Sequence, residues 1–275
     1  MSCSSIAEGV VRLKREFMKQ HQFNGNCMLE TVPQSYSEIV PISNHTLLQL
    51  INYLSLNPIY VESKDTHVLD LLCRFYLCDL NEYWLSSKKY DSSYQPFYPT
   101  WMLSAYALAL CAKSLGFEEI VDVGSGDGRI AYCGSLLGLR SIGLEIDSNL
   151  TELQSKLSLM TKVNYEIVNA DATVFEYESL HLTKPVVFLS GLPEWGDMLA
   201  KSVIPRIKAL DGMESCGFNL MGSHIMKKYS RDFAGWGWGG IFETYDLVIQ
   251  ECVTLPTYWT NDQKLDTAYI FTKSD

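Results

Sequence analysis

Residues 118–147, EEIVDVGSGDGRIAYCGSLLGLRSIGLEID, hold the pattern from which the fold follows. Ile120-Val121-Asp122-Val123 is an apolar, β-branched run of the kind that forms a strand buried on both faces of a parallel sheet. It ends in Gly124-Ser125-Gly126-Asp127-Gly128, with glycine at every second position. Residues without a Cβ let the chain bend sharply and let a ligand approach the main chain closely. Arg129–Leu137 reads as a helix stopped by Gly138. Ser141-Ile142-Gly143-Leu144 is a second strand, closing on Glu145. The unit is β–Gly loop–α–β with an acid at the carboxyl end of its second strand, a layout that holds a nucleoside.

Glu145 stands 21 residues past Gly124, near the spacing of about 20 at which an acid meets a ribose. A carboxylate there accepts hydrogen bonds from both ribose hydroxyls. The competing reading is a dinucleotide-dependent dehydrogenase, whose loop would cradle a pyrophosphate. Two features oppose it. The loop is G-x-G-x-G rather than G-x-G-x-x-G, and Asp127 places negative charge where the diphosphate would sit. An acidic loop suits a ligand whose near end carries an ammonium and a sulfonium, which is S-adenosylmethionine.

Asp122 to Ile130 (DVGSGDGRI), followed by Gly143-Leu144-Glu145, resembles the first two motifs of the class I, seven-stranded, S-adenosylmethionine-dependent methyltransferases. An upstream aromatic-x-Pro-Thr element falls at Phe97-Tyr98-Pro99-Thr100. With it, VDVGSGDGRI is most similar to a small protein-lysine methyltransferase branch and to uncharacterised archaeal relatives. The superfamily resemblance spans roughly residues 97–275, and nothing similar is apparent in residues 1–90. It implies an α/β fold with a Rossmann-like seven-stranded sheet in the order 3-2-1-4-5-7-6. It also implies that Asp122, Gly124, Ser125, Gly126, Gly128 and Glu145 contact the cofactor, with Ser190 and Thr100 beside them. Asp171 would accept a hydrogen bond from the adenine amino group, and the main chain at Ala172 would fix the ring edge. A lone Asp after a strand is more often a turn residue; its place one α-β step beyond Glu145 sets Asp171 apart.

The remaining C-terminal segments fit such a sheet. Leu150–Met160 reads as a helix, Val163–Ala170 as a third strand and Pro185–Ser190 as a fourth. Ligands of open α/β sheets lie outside the carboxyl ends of the strands. That puts Pro193, Glu194 and Trp195 on the substrate side. Amino-methylating enzymes of nucleic-acid bases carry Asn/Asp-Pro-Pro-aromatic here; Ser190-Gly191-Leu192-Pro193 has no Asn or Asp, which counts against base N-methylation. Glu194 is a candidate proton acceptor or cation partner and Trp195 a stacking surface, although a loop acid and a packed Trp are the simpler reading of both. Residues 197–210 form a helix and Gly217–Met221 a fifth strand. In GWGWGG (235–240), exposed tryptophans would stack on a substrate and buried ones would cover the sheet edge. Tyr245–Leu255 and Ala268–Lys273 are the closing antiparallel pair.

Upstream, residues 1–96 read as a helical N-terminal region and linker, and 97–275 as the catalytic domain. Helices are predicted over 7–22, 45–56 and 66–83, the last from apolar spacing at Leu69, Leu72, Phe75, Tyr76 and Leu80; residues 23–44 read as irregular. Thr100 can cap a helix over Trp101–Leu115. Tyr98 and Thr100 are either ligand contacts, with Tyr98 also a candidate catalytic group, or simply the start of that helix.

Composition narrows the function. The chain of 275 residues is 47% hydrophobic and carries a formal charge of −10. Residues 1–96 hold eight basic and ten acidic side chains, and 97–275 hold fourteen and twenty-two. Phosphate neutralisation dominates nucleic-acid affinity, so an acidic catalytic half disfavours DNA or structured RNA and favours a protein or small-molecule substrate. The eight cysteines form no Cys-x-x-Cys pair, and Cys111, Cys133 and Cys252 read as packed thiols. Neither a disulfide framework nor a metal site is expected. No secretory signal and no run of the ~18 apolar residues needed for a membrane span is present, which points to the cytoplasm.

Three activities remain open: a methyltransferase acting on protein lysine, one acting on RNA or a small molecule, and a non-catalytic cofactor-binding scaffold. The residues name neither the general base nor the oligomeric state.

Overall fold

The computed structural model describes residues 3–20, 27–79, 97, 99–189, 191, 193–222, 237–256 and 266–274. The N-terminal elements are α1 (Cys3–Gln20), β1 (Cys27–Pro33), α2 (Asn44–Leu56), β2 (Tyr60–Val68) and β3 (Leu71–Asp79). They are followed by α3 (Met102–Ser114), β4 (Glu119–Val123), α4 (Arg129–Leu136), β5 (Arg140–Glu145), α5 (Ser148–Thr161) and β6 (Glu166–Asn169). β7 (Pro185–Leu189), α6 (Pro193–Lys208), β8 (Gly217–Met221), α7 (Gly239–Thr244), β9 (Leu247–Pro256) and β10 (Asp266–Ser274) complete the order.

β4 to β10 form one sheet in the order β6-β5-β4-β7-β8-β10-β9. Counted from β4 as the first strand, this is the expected 3-2-1-4-5-7-6. The pairs among β4 to β8 are parallel, and β10 runs antiparallel to both β8 and β9. Every residue of β4, β7 and β8 is buried, which explains why these strands are mostly apolar on both faces, with Glu119, Asp122 and Asn219 as buried polar exceptions. Successive side chains still alternate between faces. Ile120, Val186 and Phe188 join the core under α3 and α4, while Val121, Val123 and Val187 join the one under α6 and α7.

The N-terminal region departs from the helical expectation. The apolar spacing predicts a helix over 66–83, but 66–79 lie in β2, a two-residue turn and β3, and β1 occupies part of the stretch that reads as irregular. The three strands form an antiparallel sheet in the order β1-β3-β2. β3 is the middle strand, and Cys73, Phe75, Tyr76 and Cys78 are all buried. Burial on both faces removes the alternation that marks a strand and leaves spacings that also fit a helix. The turn residues Leu69 and Asp70 both have positive φ (53° and 61°), the geometry of a type I′ hairpin, which Asn-Gly would have announced.

This region shares the core of the larger sheet. Phe17 of α1 packs on Phe75 and on Trp101 at ring separations of 5.7 and 6.2 Å, and Arg15 pairs with Asp266 of β10 at 2.8 Å. Cys111 is disulfide-bonded, not the packed thiol its apolar surroundings suggest; Cys133 and Cys252 are free thiols.

Candidate functional site

The carboxyl ends of β4, β5 and β6 lie side by side, and the glycine loop leaves the first of them. Glu145 ends β5 and is 6% exposed. Its Oε2 accepts from the Gly126 N–H at 2.8 Å and its Oε1 from the Asp147 N–H at 2.9 Å. Burial raises the Glu145 pKa, while the Asp147 and Gly126 N–H groups act to lower it. The next strand is tied to the same residue, with Ala170 N–H and the Asn169 side chain both donating to the Glu145 carbonyl. Asp171 follows at once. Its Oδ1 accepts from the main chain and hydroxyl of Thr173 at 2.8 and 2.7 Å, an Asx turn that leaves Oδ2 for other partners. Ala172 is buried behind it.

The loop itself is packed from below. Ser125 is buried, and Gln154 of α5 donates to the Ser125 hydroxyl and to the Gly126 carbonyl, each at 2.8 Å. A Cβ at Gly126 would strike the Phe97 ring, and one at Gly128 would strike Tyr165 and Gln154. At Gly124, φ is +73° and a Cβ would meet nothing within 4 Å, so the space beside the start of the loop is open. Asp122 lies beneath, 2% exposed. Its Oδ1 has no hydrogen-bond partner among the described residues, and neither have Gln154 Oε1 and the Tyr165 hydroxyl. Burial, reinforced by Glu145 and Asp127, pushes the Asp122 carboxyl up to about 8. An ionisable group held this way is a marker of a functional site.

Asp127 corrects the sequence reading. It does not present its charge to the space in front of the loop. It is 1% exposed, and its carboxylate is taken by Arg129 (2.6 Å to Nη2) and by Asn57, the C-cap of α2 (2.9 Å). A carboxylate excluded from water needs such partners. The argument against a diphosphate therefore rests on the glycine spacing alone. Thr100 does not cap α3 either: Trp101 occupies the N-cap with no side-chain cap bond, and Glu30 of β1 accepts from Met102 N–H at 2.8 Å in its place. Thr100 contributes its carbonyl oxygen to Arg129. Arg129, Glu30 and Gln154 were not singled out from the sequence; the only local sign was the Asp-x-Arg spacing at 127–129.

Tyr98 and Ser190 lie outside the described residues, as do the side chains of Pro193, Glu194 and Trp195, whose backbone forms the first turn of α6. Trp238 of the Gly–Trp segment is buried and donates to the Met221 carbonyl at 2.8 Å; it covers the sheet and presents no stacking face. Among the described residues no cluster could hold a metal ion, and no helix is long and apolar enough to cross a membrane. A cavity of about 610 Å³ between α1 and β9 includes no residue of the glycine loop.

Fold and site together are an open α/β sheet with the glycine loop, Glu145 and Asp171 at the carboxyl edge, where ligands of such sheets lie. No protein-family model matches the chain, and no curated protein matches it in sequence. Similar solved structures include a proposed RNA methyltransferase from Pyrococcus horikoshii (TM-score 0.48, 15% identity, 71% of this chain and 96% of that one). An O-methyltransferase from Bacillus cereus in complex with SAH gives 0.47, 12%, 65% and 84%. A TehB-like SAM-dependent methyltransferase from Corynebacterium glutamicum gives 0.40, 18%, 62% and 88%.

Proposed function

We propose that this chain is an S-adenosylmethionine-dependent methyltransferase whose acceptor is a protein lysine. The observation that carries the cofactor is the unpartnered, buried Asp122 Oδ1 under a glycine loop whose N–H is held by Glu145. A ligand with an ammonium group at that depth would supply the missing partner, and the open side of Gly124 admits its chain. In this reading Glu145 accepts from the ribose hydroxyls, and Asp171 Oδ2 with the main chain at Ala172 meets the adenine edge. When bound, the cofactor supplies a methyl group on a sulfonium, a leaving group already good enough that alignment is the main task of the protein.

The acceptor rests on different grounds. The motif similarity points to the lysine-methylating branch, the loop at 190–193 lacks the Asn or Asp of base-methylating enzymes, and residues 97–275 carry an acidic excess that suits a basic protein. A lysine must first lose its proton, from a pKa near 10.4; desolvation of the acceptor position would serve that step. The reading is tested by incubating a cell proteome and total RNA with methyl-labelled cofactor and this protein. Label on protein lysine that disappears with Glu145→Ala is the expected result. Label confined to RNA overturns the acceptor, and calorimetry showing NADH binding with no response to adenosylhomocysteine overturns the site.

A further inference from the structure

Arg129 is the first residue of α4, where the helix dipole opposes a cation, and it is only 2% exposed. Every N–H of its guanidinium nevertheless has a partner. Nε and Nη2 take the two oxygens of Asp127, Nη1 donates to Glu30 Oε1 at 2.8 Å and to the Thr100 carbonyl, and Nη2 also reaches the Tyr60 hydroxyl at 3.2 Å. Tyr60 in turn donates to Glu30 at 2.5 Å, and Tyr53 donates to the Asp127 carbonyl at 2.7 Å. Burial opposes the Arg129 charge, but Asp127, Tyr60 and Glu30 hold its pKa well above the ordinary value.

The two halves of the glycine loop are thus held by different parts of the chain. Gly124 and Ser125 bond to Leu144, and Gly126 to Glu145 and Gln154, all within the seven-stranded domain. Asp127 is held from outside it, through Tyr53 of α2 and its C-cap Asn57 directly and through Glu30 and Tyr60 by way of Arg129. Buried ion networks of this kind are often no more stabilising than apolar residues of equal volume, so stability alone is weak ground for its presence, and what the network does hold is the conformation at Asp127.

We propose that the N-terminal module, its small sheet together with α2, is part of the cofactor site, with Glu30, Tyr53, Asn57 and Tyr60 as positioning residues that set the conformation of the glycine loop. The proposal rests on the cofactor reading above, and its test has an arm that does not. Full-length Tyr60→Phe and Asn57→Ala are compared with Leu50→Ala, a core change on the same helix α2 with no polar part in the network. The readouts are adenosylhomocysteine affinity by calorimetry and hydrogen exchange of the amides at 124–129, both well below the melting temperature of each variant. The expected result is about tenfold weaker binding and about tenfold faster loop exchange in the first two, with Leu50→Ala matching wild type in both. Equal behaviour of all three variants, or unchanged loop exchange in the first two, overturns the proposal. Wild-type protein that does not bind adenosylhomocysteine overturns the cofactor reading instead, and loop exchange still decides whether the module sets the loop.

Discussion

Two aspartates five residues apart show how little a residue type fixes its role. Asp127 is completed by Arg129 and Asn57, whereas Asp122 is left with an open oxygen under the loop. The native Asp122 carboxyl titrates at about 8, against about 3.9 in an unfolded chain. Between those values the folded protein keeps a proton that the unfolded chain releases, so stability falls as pH rises through this window and no further above it. The slope is at most ~1.4 kcal/mol per pH unit. Urea unfolding from pH 5 to 8 should show this decline, and Asp122→Asn should flatten it. A ligand ammonium favours the ionised form, so adenosylhomocysteine affinity is expected to rise from pH 6 to 8 in wild type, by up to about tenfold per unit. Asp122→Asn should bind with little pH dependence; the same rise in the variant would remove Asp122 from the ligand's reach.

The β2–β3 hairpin is the element whose chemistry is least settled by its own residues. Its turn puts Asp70 at φ 61°, where a side chain costs roughly 1 kcal/mol relative to glycine. Asp70 is exposed and the charge has no packing role, so Asp70→Gly is predicted to stabilise the protein by ~0.5–1 kcal/mol. In a chain of this size that corresponds to a melting temperature raised by about 1–4 °C. A lower melting temperature would show that Asp70 does something other than make the turn. β2 sits at the edge of its sheet with Glu62 to Asp65 exposed, and charges there blunt pairing with another chain.

Across the whole molecule, one apolar cluster runs from α1 through the small sheet and α3 to the face of the large one. Phe17, fully buried between Phe75 and Trp101, bridges the parts. Phe17→Ala is expected to cost about 3–5 kcal/mol. Because the core is shared, that loss should lower a single unfolding transition seen alike by tryptophan fluorescence and far-UV circular dichroism. Separate transitions, with only the earlier one moved, would mean that residues 1–96 and 97–275 fold independently. The same continuity implies that residues 97–275 expressed alone would expose the face that α1, α2 and β1 now cover.

From residues 118–147 alone the strand, loop, helix and acid could be read, because each depends on local periodicity and on backbone positions that glycine fits. The order of the large sheet was implied by the family that this stretch resembles, and the strands pair in that order. The strands at 27–33 and 71–79 could not be read this way. β3 takes its extended form by pairing with β2 across a turn that carries no Asn-Gly signal and with β1, forty to fifty-two positions away, Cys27 with Asp79 among those pairs. Nor could the direction of Asp127 be read, since a buried charge takes its orientation from whatever partners surround it, and those come from positions 57 and 129 and, through Arg129, from 30 and 60. Short-range pattern determined the loop; only long-range packing decided which way its charge faces and what holds it.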